Sequence, residues 1–218
     1  MSSMSDRTEA NSLFAIARRV LSGTEEPTPA PVDPVDIRSG IDRALRHTRK
    51  AAITPKTVEE AAARAVAAVE GTLVAIDSIT DYIKEALDLT ASALATPDTT
   101  KRAMIADRYE ELRTRIDTVA AGASFEGVNL IDSGRESIEI KLPAAGEPRH
   151  SIGHITLVAG ERGLSLKAPS ELFISNDEIE VARHTLFAAR ERLGRAADTF
   201  LNQASVLAPH LGLAVDAQ

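Results

Sequence analysis

The chain has 218 residues, a net charge of −7 and a pI near 5.3, which excludes the broad basic face that nucleic-acid binding needs. It contains no Cys and no Trp, so disulfides, thiolate metal sites and Cys nucleophiles are excluded. Aromatic residues make up 3% against 44% hydrophobic residues overall; Ala, Leu, Val and Ile must do the burying, which favours slender helix-on-helix packing.

The N-terminal run "MSSMSDRTEANSLF" lacks the basic start, apolar centre and small-residue cleavage site of a secretory signal. No apolar run along the chain approaches the roughly 20 residues of a membrane span, so membrane insertion is not expected. Residues 1–23 predict a short amphipathic helix, with Leu13, Ile16, Ala17, Val20 and Leu21 on one face and Gly23 to close it. Residues 24–36 carry Pro27, Pro29, Pro31 and Pro34 and read as an extended linker that cannot build a core. Residues 37–56 hold a second short helix and a connection. Ile37, Ile41, Ala44 and Leu45 are apolar there, and Arg38, Arg43, Arg46 and Arg49 make a basic flank that reads first as a solvated face and second as a contact for an acidic partner.

The main body spans residues 57–208. Thr57 and Glu60 form a capping box, and the sequence then runs to Ala95 without Pro. Val66, Val69, Leu73, Ile76, Thr80, Ile83, Leu87, Thr90 and Leu94 follow a 3-4-3-4 spacing, the seam of a coiled coil, on a helix on the order of 58 Å long. Thr96 and Pro97 predict the cap and first position of a second helix, whose seam is Ile105, Tyr109, Leu112, Ile116 and Val119, with Gly122 at its end. The short link between them demands an antiparallel return.

"ASFEGVNLID", residues 123–132, interleaves the turn formers Gly127 and Asn129 with Phe125, Val128, Leu130 and Ile131. A β insertion over 133–174 comes next. Ile138, Ile140 and Leu142 alternate with polar residues, and Ile152, Ile155, Leu157, Leu164 and Leu166 predict further short strands of one small antiparallel sheet. Such a sheet must lean on the helices. Ser175 and Glu178 form a second capping box. The helix they open repeats Ile179, Leu186, Leu193, Phe200 and Leu207 every seven residues, with Ala182, Ala189 and Ala196 between and Pro209 as its stop. Residues 209–218 are a tail. The expected fold is mainly α: a long antiparallel coiled-coil-like three-helix rod with a small β insertion, preceded by short helices.

The stretch "YEELRTRIDTVAAGASFEGVNLID" closely resembles the place in bacterial flagellins where a core helix ends in an "A-x-F-x-G-x-x-L" corner, matched here by Ser124, Phe125, Gly127, Val128, Asn129 and Leu130. "AVEGTLVAIDSITDYIKEALDLTASA" and "EVARHTLFAARERLGRAADTFLNQASVL" are similar to that family's long core and return helices. The resemblance covers about half the chain, Val66 to Asp132 and Asn176 to Leu207. It implies a rod-like core domain turning into a β part at the corner, with a helix seam of Val69, Leu73, Ile76, Ile83, Leu87, Leu112, Ile116, Ile179, Leu186, Leu193 and Phe200. It also implies a structural, non-enzymatic component or associate of the bacterial flagellar filament, located on the flagellum or outside the cell by a non-Sec route. Its partners would be flagellin subunits, including further copies of itself. The family's paired terminal arms are not recognisable, so the expectation is a subunit that does not build a normal filament alone. The alternative is a cytoplasmic flagellin-like binding module that engages a flagellar chaperone or regulator.

The off-seam residues Ile79, Leu89, Phe187 and Leu201 are the candidate partner contacts; their other reading is packing within the chain. No nucleophile with a base, phosphate loop or cofactor motif is recognisable, so no catalytic, metal or cofactor residue is assigned. His150 and His154, near Glu147, read as exposed loop histidines rather than a zinc site. His184 and His210 read as surface groups, and Glu110, Glu111, Asp117 and Asp177 as solubilising or capping carboxylates.

Overall fold

The computed structural model describes residues 57–142 and 149–211; the expectations for residues 1–56 and for the tail after 211 lie outside the described residues. Thr57 caps helix α1 (Val58–Ala95), its hydroxyl accepting from Glu60 N at 3.1 Å. Glu59 and Glu60 in the first turn complement the helix dipole. The buried stripe of α1 runs Val69, Thr72, Ile76, Ile79, Ile83, Ala86, Thr90, Ala93, while Leu73, Leu87 and Leu94 are half-buried beside it. Two neighbours cause this shift: α1 packs along both other long helices, which barely touch each other. A helix between two partners needs a face wider than a single seam. The threonines fit because Thr72 Oγ1 donates to Ala68 O and Thr90 Oγ1 to Leu87 O, each at 2.8 Å, so no hydroxyl is left wanting.

Thr96 ends α1 and does not cap the second helix. The cap of α2 (Thr99–Gly122) is Asp98, whose Oδ1 accepts from Thr100 N at 2.9 Å and Lys101 N at 3.2 Å. A carboxylate there also meets the positive end of the helix dipole, and Pro97 lies just outside the helix. Tyr109, Leu112 and Ile116 face the core; Ile105 and Val119 are half-buried at its edge.

The expected single sheet is two separate two-stranded antiparallel sheets. β1 (Ser124–Phe125) pairs with β2 (Val128–Asn129), and β3 (Ile138–Lys141) pairs with β4 (Arg149–Ile152). The segments around Ile155, Leu157, Leu164 and Leu166 form no further strands. Their N–H groups nonetheless find carbonyls: Ile155 N donates to Leu130 O, Leu157 N to Ile131 O, Leu164 N to Val158 O and Leu166 N to Ala159 O, at 2.7–2.9 Å.

Helix α3 (Asn176–Ser205) buries Ile179, Leu186, Leu193 and Phe200 together with Ala182, Ala189 and Ala196. It ends before Pro209, which instead lies in a 3-10 turn over Ala208–His210. Arg64 near the start of α1 pairs with Glu126 at 3.7 Å, and His150 on β4 bonds Gln203 O near the end of α3 at 2.7 Å. Both small sheets therefore sit at the end of the rod where α1 begins and α2 and α3 finish.

Candidate functional site

The corner is a two-residue β-hairpin. Phe125 faces Val128 across the pair, and the loop residues Glu126 and Gly127 have φ of 49° and 85°. Positive φ at both loop positions is the type I′ turn, whose twist matches paired strands and which favours Gly at the second position. Asn129, 4% exposed, locks this turn to the helix before it. Its Nδ2 donates to Ala120 O at 2.7 Å and Ala121 O at 3.2 Å, carbonyls of the last turn of α2, the first of which also accepts from Ala123 N at 3.4 Å. Its Oδ1 accepts from Ile131 N at 2.9 Å and Asp132 N at 3.1 Å, so one amide turns the chain from helix to β part. Leu130 and Ile131 are driven into the core as a result. Ser124 is exposed, Phe125 and Val128 half-buried.

From Ile155 to Ile174 the chain runs back along the rod as a strap, pinned one point at a time. Asp117 Oδ1 accepts from Ala159 N at 2.7 Å, Arg113 Nε donates to Leu166 O at 2.9 Å, and Arg102 donates to Ile174 O at 2.7 Å. From α3, Arg192 reaches Thr156 O at 3.3 Å. Phe173 plugs the strap into the core, edge-on to Tyr109 with ring centroids 5.3 Å apart. Asp117 is thus a structural ligand of the strap, not a solubilising carboxylate.

The second capping box forms by half. Ser175 Oγ accepts from Glu178 N at 3.0 Å, but the Glu178 carboxylate turns to the strap and accepts from Ser170 N and Oγ, Glu171 N and Phe173 N at 2.5–3.1 Å. Burial works against its charge, yet the N–H groups of Glu171, Phe173 and Ser170 and the Ser170 hydroxyl together hold it below the ordinary carboxylate range. The clamp has strain to restrain: Leu172 and Phe173 both adopt the left-handed region, at φ 54° and 59°.

The histidines differ from expectation. His150 and His154 are half-buried and each ring bonds a carbonyl, Gln203 O at 2.7 Å and Asp132 O at 3.1 Å. Among the described residues no three His, Asp or Glu side chains group to hold a metal ion, and no helix is long and apolar enough to cross a membrane.

The four candidate contact residues separate. Ile79 is fully buried in the stripe that α1 shares between its two partners, which removes it as a contact for anything else. Leu89 and Leu201 are half-buried against the same core. Phe187 stands out from α3, 39% exposed, with the guanidiniums of Arg183 and Arg190 at 5.8 and 5.5 Å from its ring centroid. The seam residues are buried except Leu73 and Leu87, which are half-buried. Three features are not legible in the sequence: the strap pins, the second role of Glu178, and Val74, 62% exposed on the otherwise polar outer stripe of α1. Only the arginines four before and three after Phe187 carry a local signal, because that spacing brings side chains together on a helix.

A rod of three helices with a hairpin corner and small sheets at one end has a solved counterpart. The crystal structure of Bacillus cereus flagellin superposes with a TM-score of 0.61 at 22% sequence identity, over 72% of this chain and 89% of that one. The fold is flagellin-like. No family model matches the sequence, and no curated protein matches it. The flagellin-like rod thus rests on the shared architecture, with the corner of residues 124–130 at the junction between its helices and its β part.

Proposed function

We propose that this chain is a flagellin-like structural protein: a non-enzymatic component or associate of the bacterial flagellar filament that works by packing its helical rod beside other subunits. The observation that carries this reading is the flagellin-like fold, with a long helical hairpin, a return helix and a β part joined at a built corner. A rod of this kind presents long helix faces rather than a cleft, which suits side-by-side association. Phe187 is the residue among the four candidates retained for such contacts, and the corner residues Ser124, Phe125, Gly127, Val128, Asn129 and Leu130 serve to hold the rod and its β part in one orientation.

Co-assembly tests this. Filaments sheared from the source cells are depolymerised, mixed with the purified full chain and allowed to reassemble, and the pelleted filaments are probed for it. Recovery of the chain in the pellet, at a ratio that saturates, is expected. A chain that stays in the supernatant at every ratio overturns the filament reading and leaves a cytoplasmic binding module as its replacement.

A further inference from the structure

We propose that copies of this chain join through an unlike-face contact, in which the outer stripe of α1 on one copy receives the Phe187 face of α3 on the next. This rests on the subunit-packing reading above and names the surfaces it would use.

The two faces are complementary in sign. Helix α1 carries seven carboxylates against two cations, and of the seven Glu85 is taken by Arg108 of α2 at 2.6 Å. On its outer stripe the exposed Val74 is followed by Asp77, Asp81 and Asp88, exposed as well, with Lys84 drawn onto Asp81 at 2.8 Å. Between residues 183 and 195, α3 carries four arginines and a single glutamate; Arg192 turns to Thr156 O and Arg195 pairs with Glu191 at 3.7 Å, which leaves Arg183 and Arg190 as the two beside Phe187. Phe187 stands between these two, with both guanidiniums against its ring. Gly194, two turns further along, is exposed with open space where a side chain would project, so another helix can approach closely.

An exposed aromatic ring held between arginines is the chemistry of interface anchors, and the ring contact fixes the long Arg side chains before a partner arrives. Sign then decides which face it meets. Pairing α3 with α3 sets arginine against arginine, and pairing α1 with α1 sets carboxylate against carboxylate; both cost energy. Pairing α1 with α3 matches charge and brings Val74 to Phe187. Within one copy the two faces point away from the helix–helix core and cannot satisfy each other. A contact of this kind leaves each copy with one used and one free face of each sort, so it extends rather than closing on itself.

Charge reversal on the full chain provides the test, read by sedimentation over a range of concentration and salt. The wild-type chain is expected to self-associate, and more weakly as salt rises. One variant combines Asp77→Lys with Asp81→Lys; the other combines Arg183→Glu with Arg190→Glu. Each alone is expected to associate at least about tenfold more weakly. Mixed, each finds an opposite face on the other, and association returns. Circular dichroism verifies that both remain helical. Because the chain has no cysteine, Val74→Cys and Phe187→Cys copies give an independent reading: under mild oxidation the mixture should yield the 74–187 cross-link ahead of either like-with-like product. A wild-type chain that stays monomeric throughout overturns the contact alone, because packing beside filament subunits is read separately by the co-assembly experiment. Association unmoved by the reversals, a mixture that fails to recover, or dominant like-with-like cross-links overturns this contact alone.

Discussion

Along α1 the buried side chains recur every three or four residues from Val69 to Ala93, and each is apolar or a Thr bonded to its own helix. Along the strap, from Ile155 to Ile174, backbone groups are held singly by Asp117, Arg113, Arg102, Arg192 and Glu178. The rod distributes its stability over many similar contacts. The strap concentrates it in a few dissimilar ones, along a rod whose α2 and α3 barely touch, with Arg102 reaching Asn176 at 2.7 Å. One consequence is that damage should spread through the rod and stay local in the strap.

The largest effect is expected from the rod. Phe200→Ala empties a fully buried site shared by the helices and should cost roughly 3–5 kcal/mol, lowering the denaturation midpoint of the whole domain. Gly163→Ala attacks the strap instead. A methyl group there would lie 2.0 Å from Val158 O and 2.7 Å from Val158 N, backbone atoms that cannot turn aside. The cost should be about 3 kcal/mol, and hydrogen exchange should show amides of residues 155–174 opening while those of α1 keep their protection. Equal loss in both regions would erase the distinction between them.

Much of the rod is legible in the sequence because its rules are periodic. Thr57 as a cap and the seven-residue repeat of α3 depend on neighbours within a few turns and reappear in the structure, whereas the 3-4 spacing of α1 reappears shifted, with Thr72, Ile79, Ala86 and Ala93 buried in place of Leu73, Thr80, Leu87 and Leu94. The corner is legible for a similar reason: Gly127 and Asn129 act within ten residues of themselves. The features that escape depend on distant partners. Nothing local says that Ile79 faces a second helix, because the sequence around it does not reveal that α1 has two neighbours. Nor can spacing show that Glu178 will bond Ser170, Glu171 and Phe173 instead of its own cap, or that Arg113 will reach Leu166, 53 positions away. Those pairings exist only once the strap is laid along the rod.

A smaller effect sharpens the role of the Glu178 clamp. Glu178→Gln removes the charge that four donors share and should cost roughly 1–2 kcal/mol, with the partly exposed setting taken into account. The carboxyl is held below its ordinary value of 4.5. Its stabilisation is therefore complete above that value and is lost as the pH falls through the lower, folded one. Protection of the strap amides, taken relative to their intrinsic exchange rates at each pH, should fall over that acidic window in the wild-type chain and show a flatter profile in the Gln variant. A strap equally protected at neutral and acidic pH would show that the clamp contributes little.

The smallest change should be favourable. Tyr109 is fully buried, no described residue offers its hydroxyl a hydrogen bond, and burial pushes its pKa up to about 12. Tyr109→Phe keeps the edge-on contact with Phe173 and removes the unpaired hydroxyl, so stability should rise by up to about 1 kcal/mol. A loss instead would show that the hydroxyl is satisfied.

Whether this flagellin-like rod serves in or beside the flagellar filament is tested most directly by its location. An antibody against the chain is used to probe sheared filaments, culture medium and cytosol of the source cells, with and without a working flagellar export apparatus. A filament role predicts signal in the sheared or medium fraction that disappears when export is disabled. Signal confined to the cytosol in both strains would contradict it.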